Sequence, residues 1–249
     1  MASTQCSDPY ALSAEFYDVL SEQQWLKRRG PISKALQEVD PQGLILDVGA
    51  GTGPCVQVIA DALPQARILA VEPSAAMRAA LLGRLMRSAD LRQRVTVLAG
   101  TLEEVTLPLR LSAAVICGTL GYLDAPQRQH LWQQLSERLD ERGIVIVDVM
   151  MLKAPQAVPR MQVACAEIGE HLYQVSLQGE PAGGDLMHWT LDYQVLAGDN
   201  VVRHFSAEHD WHTFGLEQVA EEAGVAGFAL EPLGDALIPA AVLRRRPRS

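Results

Sequence analysis

One apolar run ends in a carboxylate and then a cluster of glycines: Leu44-Ile45-Leu46-Asp47-Val48-Gly49-Ala50-Gly51-Thr52-Gly53-Pro54. Glycines at the carboxyl end of a buried strand let the backbone approach a ligand closely. Pro54 suits the first position of a following helix, where its missing N–H costs nothing. A carboxylate ending a buried strand carries a desolvation cost unless something uses it, and a cationic amino group on a ligand would use Asp47. The spacing is GxGxG, whereas a dinucleotide site expects GxGxxG with a pyrophosphate at the helix N-terminus. The third glycine comes one residue early, which favours a ligand without a pyrophosphate and disfavours a nicotinamide oxidoreductase.

Glu72 ends a second apolar run, roughly twenty residues past the glycine turn, where a carboxylate can accept bonds from ribose hydroxyls. That position serves nicotinamide and adenosyl cofactors alike, so it indicates an adenosine-type ligand without choosing between them.

The elements around these residues alternate. Residues Ala11 to Lys27 have helical spacing, and Gly30-Pro31 is expected to end that helix. Strands are predicted at Leu44 to Val48, Arg67 to Val71, Val95 to Leu98, Ala113 to Cys117 and Ile144 to Val149. Helices are predicted at Pro54 to Leu63, from Ser74 as N-cap to about Ser88, and from Pro126 to Leu139. Such alternation implies a parallel sheet with helices on both faces. After Met150 the rhythm changes. His171 to Gln178, Leu186 to Leu196 and Val201 to Trp211 alternate as strands of an antiparallel meander, separated by Gly-rich turns. A helix at Leu216 to Ala223 and strands at Phe228 to Glu231 and Ile238 to Leu243 close the chain. The expected organisation is therefore a lid helix and cofactor-binding core over residues 1–152, a β insertion over 153–213, and the rest of the core over 214–249.

The 249-residue chain suits one domain carrying an insertion. A net charge of −9 argues against a nucleic-acid partner, which needs a concentrated basic surface. Arg244, Arg245, Arg246 and Arg248 are read as a solvated tail. Cys6, Cys55, Cys117 and Cys165 show no CxxC spacing, consistent with free thiols in a reducing cytoplasm. The apolar run around Gly143 to Met151 is too short to span a bilayer, so no membrane association is expected.

The ordered segments LDVGAGTG, VEPSAAM, AGTLEEV and ICGTLGYL resemble the successive cofactor-binding segments of class I S-adenosylmethionine-dependent methyltransferases, over about Leu44 to Met150. The resemblance implies an α/β fold with a Rossmann-like, doubly wound, seven-stranded sheet, an N-terminal helical lid, and an antiparallel β insertion before the last helix. It implies that Asp47, Gly49, Ala50, Gly51 and Gly53 bind the cofactor, the glycines facing its methionine moiety. Glu72 would hold the ribose; Pro73, Ser74 and Met77 would lie near the ribose and adenine. Thr101 and Leu102 would flank the adenine, and Cys117 and Gly118 would line the site. The family usually has Asp where Thr101 stands.

A narrower similarity covers Ala14-Glu15-Phe16-Tyr17-Asp18, Leu120-Gly121-Tyr122-Leu123, the insertion, and Val202-Arg203-His204-Phe205-Ser206. These are similar to aminosugar N-methyltransferases of antibiotic pathways. That similarity implies a small-molecule acceptor, slightly favours nitrogen over oxygen, and implies a homodimer through the inserted sheet. The alternative on the same scaffold is a cofactor-binding protein with non-methylating chemistry or no catalysis.

Transfer from a sulfonium leaves a neutral thioether, so the protein mainly supplies alignment, with a base useful for an ammonium or hydroxyl acceptor. Tyr17 and Tyr122 are the candidates for positioning. His188, His204, His209 and His212 lie in or just after the insertion, and His204 is taken as the candidate proton acceptor. Alternation places His204 and His212 on one strand face and His209 on the other. For the same reason the i,i+3 spacing of His209 and His212 points their rings apart, so no metal site is expected.

Overall fold

A computed structural model describes residues 8–234 and 239–246. Cys6, Ile238 and Arg248 lie outside the described residues. Five parallel strands form the body of the larger sheet: β1 (Leu44–Val48), β2 (Arg67–Glu72), β3 (Val95–Ala99), β4 (Leu111–Ile116) and β5 (Leu139–Asp148). The smaller sheet holds β6 (Val158–Ile168), β7 (His171–Gly183), β8 (Leu186–Ala197) and β9 (Asn200–His212), all antiparallel in that order. The chain then returns to the larger sheet through β10 (Phe228–Leu233) and β11 (Ala240–Arg245), giving the order β10-β11-β5-β4-β1-β2-β3 with β11 antiparallel to both neighbours. This is the doubly wound, Rossmann-like seven-stranded sheet that the sequence implies.

The helices are α1 (Tyr17–Leu36), α2 (Pro54–Ala62), α3 (Ala75–Met86), α4 (Ala89–Arg94), α5 (Ala125–Arg138) and α6 (Leu216–Val225). They cover both sheet faces, so successive strand residues feed opposite cores. Ile45, Ala113, Val115 and Ile146 pack toward Leu36 of α1 and Ile59 of α2. Leu46, Ala114, Ile116 and Val147 pack toward Trp132 of α5 and Val219 of α6. Every residue of β4 is buried, as expected for a central strand covered on both sides. Local signals agree with these bounds. Ser74 accepts from the Met77 amide at the start of α3, and Asp124 with Gln127 forms a reciprocal capping box on α5.

Three expectations are corrected. Gly30-Pro31 does not end the first helix; α1 continues through it to Leu36. Proline removes one helical hydrogen bond there, but Ile32, Ala35 and Leu36 beyond it are buried in the core, and that packing holds the last turns in place. The insertion also has a strand more than expected. β6 carries Pro159 and irregular register beside it, and as a mostly exposed edge strand it lacks the clean alternation that marks a half-buried one. Finally, Arg244 and Arg245 are not a solvated tail but part of β11. Arg244 reaches Glu38 at 2.7 Å and Glu231 at 3.0 Å, and Arg245 donates to the Ser136 carbonyl.

The smaller sheet sits against the N-terminal segment. Phe16, in the single 3₁₀ turn Ala14–Phe16 preceding α1, is fully buried among Tyr173, Tyr193 and Phe205, with ring centroids 5.1–5.7 Å away. That plug fixes α1 between the two sheets.

Candidate functional site

The carboxyl ends of β1, β2, β4 and β5 converge on one region. Gly49, Gly51 and Gly53 all have positive φ (69°, 56° and 92°), so the turn after β1 has a backbone path that L side chains rarely adopt. A Cβ on Gly49 would also lie 2.3 Å from Thr119 Oγ1, so this turn and the one after β4 are in direct contact. Ala50 is buried in the same turn.

Glu72 faces the glycine turn from the end of β2. Its Oε2 accepts from the Gly51 amide at 2.8 Å and its Oε1 from the Ser74 amide at 2.7 Å. Burial raises its pKa, and those two amide bonds oppose the rise. Asp47 is 1% exposed, and its Oδ2 has no hydrogen-bond partner among the described residues. Burial pushes its pKa up to about 7 against the bond from the Cys55 thiol. Asp148, at the end of β5, is a third strand-end carboxylate. Its Oδ1 accepts from the Gly118 amide at 2.7 Å, and its Oδ2 is 2.8 Å from Arg28 of α1. Sequence reasoning missed Asp148 and Arg28, although Asp148 repeats the signal of Asp47: a carboxylate closing a buried strand.

The other residues expected at the cofactor divide into two groups. Met77 is buried beneath the start of α3, while Pro73 is exposed and its carbonyl is held by Arg78 at 2.7 Å. Cys117 is buried beside Asp148, and burial pushes its thiol well up. Thr101 and Leu102 line a cleft together with Glu103, Tyr122, Leu123 and Gln127. The Thr101 amide donates to Glu104 Oε2 at 2.8 Å, so a carboxylate stands at this turn although position 101 itself lacks one.

An aromatic cluster covers the glycine turn. The nearest atom to a Cβ built on Gly51 is Tyr17 Cε1, at 3.4 Å. Tyr10 meets Tyr17 edge-on at 6.2 Å, and its hydroxyl is hydrogen-bonded to that of Tyr122. Burial raises the pKa of all three phenols, which therefore stay protonated at neutral pH. The smaller sheet contributes His209, stacked on Tyr10 at 5.2 Å, and Trp211, which meets Tyr122 edge-on at 4.7 Å. Asp8 anchors the segment before Tyr10 by accepting from Ser74 Oγ at 2.9 Å and the Ala76 amide at 3.1 Å. Tyr10 and Asp8 carry no sequence signal of their own, because nothing local ties them to α3 or to Tyr122.

His204 is not part of this cluster. It lies on the opposite face of β9, nearly half exposed, with Nε2 3.5 Å from Asp192. Strand alternation, which puts odd positions of β9 toward the cleft, brings His209 there instead. Among the described residues no group of three or more His, Cys, Asp or Glu side chains could hold a metal ion, and no helix is long and apolar enough to cross a membrane.

A family model described as a methyltransferase domain matches residues 45–143, the span from β1 through α5 that carries all these turns except the one after β5. More than nine-tenths of the chain superposes on solved structures described as methyltransferases. The sugar N-methyltransferase KedS8 from Streptoalloteichus sp ATCC 53650 matches with TM-score 0.71 at 21% identity, covering 93% of each chain. CalS10, an amino pentose methyltransferase from Micromonospora echinaspora solved with bound SAM, matches with TM-score 0.74 at 16% identity, covering 92% of this chain and 96% of that one. DesVI of Streptomyces venezuelae matches with TM-score 0.74 at 19% identity, over 98% of this chain and 100% of that one. At these identities the likeness establishes the fold. No curated protein matches the chain.

Proposed function

We propose that this methyltransferase domain uses S-adenosylmethionine to methylate a nitrogen of a small-molecule acceptor, an amino sugar or similar natural-product amine. The observation that carries the cofactor reading is the unpartnered, buried Oδ2 of Asp47 beside the glycine turn. Asp47, Glu72 and Asp148 are three buried strand-end carboxylates with two arginines nearby, Arg28 at Asp148 and Arg78 beside Glu72. A ligand with an ammonium and a sulfonium offsets that excess of negative charge, so the donor set fits the group. Asp47 would take the ammonium, and Glu72, already oriented by two amides, keeps lone pairs for ribose hydroxyls. Met77 and Leu102 offer apolar surface for an adenine, with Glu104 near its edge.

The cofactor supplies an activated methyl that leaves a neutral thioether behind. The chain's own work is then alignment and exclusion of water. Tyr17, lying against Gly51, covers the turn, and the Tyr10–Tyr122 hydroxyl pair closes the cleft from the side of the smaller sheet. Phenols held neutral present hydroxyls and π faces rather than charge, and π faces attract an ammonium. This favours nitrogen over oxygen in the acceptor. The exposed apolar side chains Met161, Val163 and Ile168 on edge strand β6 support dimerisation through that sheet, and a monomer mass by light scattering would overturn it.

Calorimetric titration with S-adenosylmethionine and S-adenosylhomocysteine tests the cofactor. Micromolar binding is expected, abolished by Gly51→Arg and weakened by Glu72→Ala. Methyl glycosides of amino-deoxyhexoses, with their hydroxyl counterparts, then test the acceptor. Turnover of the amines alone supports the reading; turnover of the hydroxyl compounds alone overturns the nitrogen assignment. Absence of heat from folded protein would overturn the cofactor.

A further inference from the structure

We propose that His209 accepts the proton from the methyl-accepting nitrogen, which enters the cleft as an ammonium; this rests on the nitrogen reading above. Most of the other imidazoles are engaged elsewhere. His188 Nδ1 lies 2.7 Å from Asp210, His212 Nδ1 lies 2.9 Å from Asp185, and His204 Nε2 lies 3.5 Å from Asp192. His130 sits on α5, paired with Gln134 at 2.7 Å. His171 opens β7 at the hairpin beside Gly169 and is exposed.

His209 differs in both partners and placement. Among the described residues its ring nitrogens make no hydrogen bond. The ring is stacked on Tyr10 (5.2 Å between centroids, 28° between planes) and faces Tyr122 at 6.5 Å and 75°. Those two phenols connect it to Tyr17 and so to the glycine turn. It is therefore an imidazole with unused nitrogen atoms at the edge of the aromatic cleft.

The groups facing His209 favour its neutral form. Burial lowers its pKa below the ordinary 6.5, and Asp210, its neighbour on β9, opposes that shift. From the N-terminal segment it meets Tyr10, and from the turn after β4 it meets Tyr122; Tyr17 and Glu72 lie beyond Tyr10. None of these phenols ionises near neutral pH, so none competes for the proton. Glu72 accepts one backbone amide on each oxygen. At pH 7 His209 is thus a neutral base in a cleft suited to a cation.

The step balances simply. An N–H proton of the acceptor passes to a ring nitrogen of His209, and the freed lone pair forms the N–C bond. The C–S bond breaks with its electron pair going to sulfur, leaving a neutral thioether. The imidazolium formed returns its proton to solvent.

The test uses the full chain, S-adenosylmethionine and an amino-deoxyhexose methyl glycoside. His209→Ala should lower kcat by about 10²–10³ at pH 7. It should remove the acid limb of the pH profile and leave S-adenosylhomocysteine affinity within roughly threefold of wild type. Added imidazole should restore rate in proportion to its free-base concentration. A loss that imidazole does not rescue, or an acid limb that persists in the variant, would overturn the proposal. A second readout needs no turnover. In protein saturated with S-adenosylhomocysteine, the NMR titration midpoint of His209 should move when the glycoside is added, and an unmoved midpoint at saturation overturns the proposal. Failure of S-adenosylhomocysteine to bind wild type would instead strike the cofactor reading.

Discussion

Trp211 fills the space that a side chain on Gly121 would need: a Cβ built there would lie 1.9 Å from the indole Nε1. This contact docks β9 of the smaller sheet onto the turn after β4, and it is made at the cleft. Gly121→Ala must displace the indole or the turn. Overpacking of this kind costs about 1–3 kcal/mol, which thermal unfolding would register. Because Trp211 also packs on Tyr122, turnover should fall by more than affinity for S-adenosylhomocysteine. Equal losses in both would show that the contact serves stability alone.

Asp47 makes the cofactor-free protein sensitive to pH. Its ordinary pKa of 3.8 is raised to about 7 in the folded chain. Between those values the folded state holds a proton that the unfolded state releases, so stability falls as pH rises through this window and levels off above it. Asp47→Asn removes the effect and should stabilise the cofactor-free protein by on the order of 2–4 kcal/mol at pH 8, with a smaller gain at pH 5. Urea unfolding at the two pH values checks this. A gain that does not grow with pH would sink the account. The same variant should bind S-adenosylmethionine more weakly, since the group that stabilises it when empty cannot neutralise an ammonium.

Arg128 of α5 is fully buried against the connection from the smaller sheet back to the core. It bonds Glu222 twice, at 2.8 and 2.9 Å, reaches the Leu123 carbonyl at 2.8 Å, and lies 3.9 Å over the Phe214 ring. Arg128→Met strands the Glu222 carboxylate and should cost about 3–5 kcal/mol in chemical unfolding. Adding Glu222→Leu should recover most of that loss. If the double variant is as unstable as the single one, the guanidinium matters through Leu123 and Phe214 instead.

Much of the cofactor side was legible in the chain because its signals are local. Asp47, the three glycines and Pro54 lie within one strand, turn and helix, and Glu72 sits where a second strand must end. Asp148 closes its apolar strand with the same local signal as Asp47. The aromatic cleft was less legible. Tyr10 reaches Tyr122 across 112 positions, and Asp8 reaches Ala76 across 68. No short motif encodes such pairings. The alternation of β9 did separate His204 from His209, but a strand read alone has no inside, and the fold turns His209 to the aromatic cleft.

By itself the sequence determined what depends on near neighbours: most of the core's strands and helices in order, the glycine turn that only positive φ can follow, and the carboxylates that close buried strands. Only the tertiary structure decided which face of the inserted sheet meets the cleft and that α1 outlasts its proline. It also brought Asp8 to the start of α3 and Tyr10 to Tyr122. These outcomes are set by burial between segments distant in the chain, where packing outweighs local propensity and no spacing rule records the partner.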